Sequence, residues 1–419
     1  MSNEAASHPF GEQWEHSLRQ YAKLAVKVGV HLQPDQELVL FSPLPAAPLA
    51  RLIAEEAYAA GARDVHVEWS DDRMRRLRLQ RAADAALHEA SSLRGRELEE
   101  RAARGSAFLH IAAPNPDLLL GIDPSRVAAA SKAGSAVSQG WRKYTQSGEI
   151  SWCIVSYVTP DWARKVYPEL DEEEAIGRLW EALFYMARAD REDPVAEWSR
   201  HLERLQERLT FLNDRRYRKL HYRAPGTSLT VGLPEGHIWH GGGLVNAQGT
   251  YFVPNVPTEE VFTVADRLLT EGTVRSTLPL NLNGRLVEEF ELTFEQGKVT
   301  SFSAAKGEEA LRHLLETDAN AGYLGEIALV PVNSPIAETN TIYYFTGLDE
   351  NASCHLALGN AYPFCLENGT SLTKEERLER GANASLIHID FMIGSAELDI
   401  DGETADGTRE PLFRQGRWV

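Results

Sequence analysis

The sequence predicts an α/β amino-terminal domain on an open, mainly parallel sheet, followed by a β-rich α+β carboxy-terminal domain. Three observations predict it. In the first half, short apolar runs alternate with stretches whose apolar residues recur every three to four positions. From about Glu172 to Asn213 the chain reads as helical throughout. Beyond Leu220, Gly and Pro become frequent and short segments follow one another between turn residues, the texture of a mostly antiparallel sheet. This change places the domain boundary near residue 215, with domains of 1–215 and 216–419 and the helical bridge closing the first.

The elements follow in order. Trp14, Leu18, Tyr21, Ala22, Ala25 and Val28 lie at helical spacing. Glu37–Phe41 is a short buried strand, Ala47–Ala60 an Ala-rich helix, and Gly61 its cap. Asp64–Trp69 is a strand, followed by a charged helical stretch to about Ala90. Phe108–Ile111, a helix around Arg126–Lys132 and the strand Trp152–Tyr157 continue the pattern, implying right-handed crossovers. The charges from Arg188 to Arg208 read as a solvated helix face. In the second half, Thr227–Val231, Arg285–Phe290 and Lys298–Phe302 are predicted strands. Asp401-Gly402 and Asp406-Gly407 are predicted hairpin turns. Asp399-Ile-Asp401 lacks the spacing and terminal Glu of a calcium loop, so the turn is preferred.

Composition removes several classes of function. Among 419 residues, 43 Lys and Arg face 61 Asp and Glu, a net charge of −18. Such an acid excess disfavours nucleic acid and anionic membranes as partners. Three cysteines, Cys153, Cys354 and Cys365, make no disulfide framework. The stretch Met1–Gly11 lacks the apolar core of a signal peptide, and no apolar run approaches the ~20 residues that span a bilayer. A cytoplasmic protein is expected.

Familiar catalytic patterns are absent. The first half has no GxGxxG, the chain no GxxxxGK[ST] and no HExxH, and His88-Glu89 lacks a second His. His240-Gly-Gly-Gly243 has no accompanying GxSxG and reads as a Gly-rich turn. Cys153 and Cys354 read as small buried hydrophobes.

The informative residues are carboxylates and histidines set in apolar segments of the second half. Ala384–Ile393 reads as a strand whose period of two puts His388 and Asp390 on one face and Ile387, Ile389 and Phe391 on the other. That pair suits a metal or a structural His–Asp hydrogen bond. Glu326 is the one carboxylate in the strand-like run Leu324–Val330, where an unpaired charge costs several kcal/mol, so it needs a cation, a salt bridge or a proton. Glu350 and His355 sit in Leu348–Gly359, polar at its start and apolar after. Of Glu259 and Glu260, one is expected to turn inward and the other to stay in solvent. Together these residues supply the ligand mix for a pair of divalent ions.

Four ordered blocks, Asn255–Thr263, Leu324–Val330, Asp349–Gly359 and His388–Gly394, resemble the signatures of the aminopeptidase T / aminopeptidase S family of metallopeptidases. Gly226–Trp239 and Ser151–Ala163 support the likeness, which runs over nearly the whole chain. The resemblance implies a two-metal hydrolase that removes residues from peptides with a free amino terminus. Two divalent ions per chain, zinc, cobalt or magnesium, would be carried by the carboxy-terminal domain, and the enzyme would be a homodimer. Matched position by position, the ligands are Glu260, Glu326, His355, His388 and Asp390, with Glu326 bridging and Glu350 at or beside the cluster. Tyr362 matches the family's active-site tyrosine, and Glu326 or Glu350 would carry the proton from water to the leaving amine. Without the match, Tyr362 reads as a core aromatic. Two departures, Gly347 beside Thr346 and one extra residue in Asp318–Tyr323, flank these positions and bear on substrate preference.

Two alternatives stand beside this reading. His355, His388 and Asp390 alone would make the iron(II) triad of a ring-cleaving dioxygenase of the dihydroxypyridine type, a relative on the same fold. The retained Glu260 and Glu326 favour the hydrolase. A non-catalytic binding protein would show lost ligands, and none is missing.

Overall fold

The computed structural model describes residues 10–282 and 285–419. The stretch read for a targeting signal lies, over residues 1–9, outside them. The chain forms two compact units, Met1–His201 with Gly243–Pro257, and Leu202–Gly242 with Thr258–Val419. Among the described residues, no helix is long and apolar enough to cross a membrane.

The first unit is the expected α/β layer. Its sheet runs in the order Asn255–Val256, Trp152–Ser156, Ala107–Ala112, Glu37–Pro43, Asp64–Ser70, every pair parallel. The edge strand Asn255–Val256 was not predicted, because two residues between prolines carry no period. The first helix, Gly11–Leu24, passes into a π turn at Ala25–Gly29. There Gly29 lies so near Cys153 that a β-carbon would come within 2.7 Å of its Sγ. The charged stretch expected to be helical to Ala90 breaks into Asp72–Arg81 and Asp84–Leu87. Arg126 takes the carbonyls of Leu79 and Ala82 at that break, so they need no helical N–H. The helix around Arg126 is much longer than read, Pro124–Gln146, started by the Asp123 cap.

The continuous helix expected over Glu172–Asn213 is two helices, Glu172–Met186 and Pro194–Arg215. Arg188 adopts φ +59 between them and Pro194 opens the second.

The second unit is β-rich and its sheets are antiparallel. Eight strands run in the order Lys298–Ser303, Glu291–Glu295, Thr270–Arg275, Thr227–Gly232, Lys219–Ala224, Asp399–Glu403, Arg409–Arg414, Arg417–Trp418. Five more run in the order His388–Met392, His355–Gly359, Leu324–Leu329, Val261–Val264, His240–Gly241. The two sheets share one apolar core, to which the first gives Leu220, Val231 and Leu292 and the second Val261, Ile327, Leu356 and Phe391. The predicted strand over Arg285–Phe290 ends at Val287, two residues before Glu289 at φ +47. Asp401-Gly402 is not a turn but lies inside Asp399–Glu403, where a β-carbon on Gly402 would meet the Tyr217 ring at 2.7 Å. Asp406-Gly407 is the turn, with Gly407 at φ +87. His240-Gly241 likewise forms a short edge strand against Val261–Phe262 in place of the expected turn.

Candidate metal centre

Strand register builds the site. Glu326 pairs with Val264 on one side and Ala357 on the other, and Ala357 pairs with Asp390. Directly opposed residues share a face, so Glu326, Ala357 and Asp390 lie side by side across three strands. The same pairing puts His355 opposite Ala328, and His388 opposite Gly359. One face of this sheet therefore carries Phe262, Glu326, His355, His388 and Asp390 over a floor of Ala328, Ala357 and Gly359. The alternate residues Val261, Ile327, Leu329, Leu356, Leu358 and Phe391 fill the core behind it. Gly359 has φ +104, and a β-carbon there would lie 2.2 Å from the Ile387 carbonyl. The close approach brings the chain into His388 directly beside its neighbour. The strand predicted over Ala384–Ile393 thus starts only at His388.

Two groups of three side chains converge on this floor, Glu260–Glu326–His355 and Glu326–His388–Asp390, with the ligand atoms of each group within 4.8 Å of one another. Glu326 belongs to both. His355 Nε2 lies 3.2 Å from Glu260 Oε2 and 3.9 Å from Glu326 Oε1. His388 Nε2 lies 3.5 Å from Glu326 Oε2 and 3.4 Å from Asp390 Oδ1. On their other nitrogens, the imidazoles hold backbone carbonyls: His355 Nδ1 that of Ser353 at 3.1 Å, His388 Nδ1 that of Asn360 at 2.7 Å. A proton engaged at Nδ1 leaves Nε2 as the ligand atom, the usual arrangement behind a metal-bound histidine.

The electrostatics call for cations. Glu326 is 4% exposed and His355 1%. Burial, reinforced by Asp390 and Glu260 against the pull of the two histidines, pushes Glu326 up to about 8. Burial and the charges of Asp390 and Glu260 hold Glu350 well above the carboxylate range. For the histidines burial works downward, but it is outweighed by Glu260 at His355 and by Asp390 at His388, and each rises to about 10. Burial would raise Asp390, yet its contact with His388 and the charge of His355 hold it low. Glu326 Oε2 and Asp390 Oδ1 are buried without a hydrogen-bond partner. Among the described residues, no Lys or Arg pairs with Glu260, Glu326, Glu350 or Asp390. Buried carboxylates facing imidazole Nε2 atoms, two with an orphaned oxygen, fit divalent cations in their chemistry.

The remaining sequence-predicted positions fall beside these groups. Glu350 lies in the turn Glu350–Ala352 and interacts electrostatically with Asp390, Glu260, His355 and Glu326. The Tyr362 ring sits 4.8 Å from the His388 ring and is 40% exposed, on the rim of the site and not in the core. Burial, followed by Glu326, Asp390 and Glu350, raises its phenol above the ordinary value, so it stays protonated. Glu259 and Glu260 are both buried, against the expectation that one faces solvent; Asn351 Oδ1 takes the Glu259 N–H at 2.7 Å and draws that segment inward. Cys153, Cys354 and Cys365 are free and buried, as small hydrophobes.

Sequence reasoning missed the aromatic shelf next to the site. Phe364 stacks on Tyr362 at 5.2 Å, and Phe262 meets both edge-on. Phe262 was accessible to the period-two argument, standing two residues after Glu260. The carbonyls of Ser353 and Asn360 carry no sequence signal.

Residues 14–418 match the family described as thermophilic metalloprotease (M29). The chain is 50% identical to aminopeptidase 2 of Geobacillus stearothermophilus over 407 residues, 97% of this chain and 98% of that protein. It is 45% identical to aminopeptidase AmpS of Bacillus subtilis over 97% of this chain and the whole of that one. The solved structure of wild-type AmpT from Thermus thermophilus superposes with a TM-score of 0.92 at 42% identity, covering 97% of this chain and 100% of that chain. With a family match over almost its full length and two ligand groups meeting at Glu326, the chain belongs to the thermophilic metalloproteases of family M29.

Proposed function

We infer that the protein is a metal-dependent aminopeptidase acting through two divalent ions. The observation that carries the two-ion reading is Glu326, among the described residues the one side chain shared by two ligand groups. Glu260, Glu326 and His355 would hold one ion, Glu326, His388 and Asp390 the other, with Glu350 beside both. The four carboxylates carry a formal charge of −4 when ionised, which two doubly charged cations balance. Zinc, cobalt and magnesium all suit a mixed carboxylate–imidazole set. Such ions, when bound, supply a water of lowered pKa and a Lewis acid for the scissile carbonyl.

The chain's own residues do the rest. Tyr362, protonated and on the open rim, donates a hydrogen bond to the oxygen that gains charge in the transition state. A carboxylate of the cluster, Glu326 or Glu350, accepts the proton of the attacking water and returns it to the leaving amine. The aminopeptidase relatives support peptides with a free amino terminus as substrates. The family resemblance supports a homodimer, and the free cysteines suit the reducing cytoplasm. The peptidase relatives do not favour the oxygenase reading.

Metal analysis of saturated protein, paired with hydrolysis of amino-acid arylamides, tests the proposal. About two ions per chain and cleavage of free but not acetylated amino termini are expected. One ferrous ion with oxygen consumption would overturn it. Tyr362→Phe is expected to lower kcat about 10²- to 10³-fold with metal content unchanged. Equal loss of both would make the tyrosine structural.

A further inference from the structure

We propose that the two ion positions are held by separate hydrogen-bonded latches, Asn351 for the Glu260–His355 side and Asp318 for the His388–Asp390 side, so that either can be weakened alone. The inference rests on the two-ion reading above and goes beyond it by naming residues that touch no ligand atom.

The first latch is a single buried amide. Asn351 is 0% exposed. Its Oδ1 accepts the N–H of Glu259 at 2.7 Å and the hydroxyl of Thr258 at 3.5 Å, while its Nδ2 donates to the Gly347 carbonyl at 3.3 Å. Its own carbonyl accepts from Ser334 Oγ at 3.1 Å. Asn351 follows Glu350 directly and precedes His355 by four residues. One side chain therefore ties the segment entering Glu260 to the turn bearing Glu350 and leading into the His355 strand.

The second latch holds the loop that precedes His388. Asp318 Oδ2 accepts the N–H of Leu386 at 2.6 Å and the hydroxyl of Ser385 at 2.8 Å. Asn320 Nδ2 donates to the Ala384 carbonyl at 2.9 Å, and Asn383 Nδ2 donates to Asn320 O at 2.9 Å and Gly359 O at 2.6 Å. These bonds fix the loop that ends at His388. No residue takes part in both latches, so a lesion in one leaves the bonds of the other intact. Loss of a residue that orients metal ligands typically weakens binding 10- to 100-fold.

Cobalt(II) titration of the chelator-stripped full chain, followed by visible absorption and by counting bound metal, tests the separation. Wild-type protein is expected to fill two steps, assigned with His355→Ala and His388→Ala. Asn351→Ala should weaken the step lost in His355→Ala about 10- to 100-fold and spare the other, and Asp318→Ala should do the reverse. Where Asn351→Ala fails to fold, Asn351→Leu, which keeps the volume and loses the acceptor for Glu259, should weaken the same step. Equal weakening of both steps by each variant, or of neither, would overturn the latches while leaving the two-ion reading in place. Wild-type protein that binds a single cobalt would overturn that reading instead, and this inference with it.

Discussion

Glu326→Ala is expected to abolish release of amino-terminal residues, with kcat/KM down by about 10³-fold or more, and to cut bound metal by more than a single-ligand loss elsewhere in the site. The reasoning is geometric. Glu260, His355, His388 and Asp390 each belong to one group of three, whereas Glu326 stands in both. Its removal leaves Glu260 and His355 on one side and His388 and Asp390 on the other, two side chains each. Glu326→Gln separates charge from shape: it keeps the volume on the strand and one oxygen, and should still lose both activity and metal. The checks are hydrolysis of amino-acid arylamides across a range of added metal and ion content after dialysis. Unchanged turnover in either variant would remove Glu326 from the mechanism.

Stripping the ions is expected to lower Tm by on the order of 10 °C, as follows from ligands that bind only the folded chain at concentrations far above Kd. The loss should deepen with pH. Without ions, Glu326 keeps its proton in the fold up to about 8, against 4.5 in the unfolded chain, so folding takes up a proton between those values and stability falls as pH rises through them. Glu350, raised by the same burial, acts in the same sense. The raised histidines contribute stability that is fully present below about 6.5 and is lost as pH rises through about 10. All four groups thus destabilise the stripped protein toward alkaline pH, while protons compete less with metal there. Thermal melts from pH 5 to 9, with and without chelator, should diverge steadily. Parallel curves would mean that these groups hold no ion.

How much of this was legible depends on the range of the interaction. The His388–Asp390 pair was readable from a period of two within one strand. Glu326 was readable because an ionisable group in an apolar run is a local anomaly. What brings them together, the register Glu326–Ala357–Asp390, depends on two pairings between segments more than 30 residues apart, and no local pattern encodes it. The opposite failures share that cause. Asp401-Gly402 carries the signature of a turn, yet Tyr217 closes over Gly402 from 185 residues away in sequence and keeps the backbone extended. Glu259 carries the signature of a surface residue, and a buried amide at position 351 draws its backbone inside. The break after Arg81 depends on Arg126, again a distant partner.

The sharing of Glu326 by groups of different sequence depth has a consequence for biosynthesis. The last member of one trio is residue 355 and that of the other residue 390, so a growing polypeptide finishes the first 35 residues before the second. The strand that completes the second pairs with the one completing the first. An elongating chain can therefore complete one ligand trio while the remaining members of the other are still inside the ribosome, and the second trio waits for the strand His388–Met392 to emerge and dock.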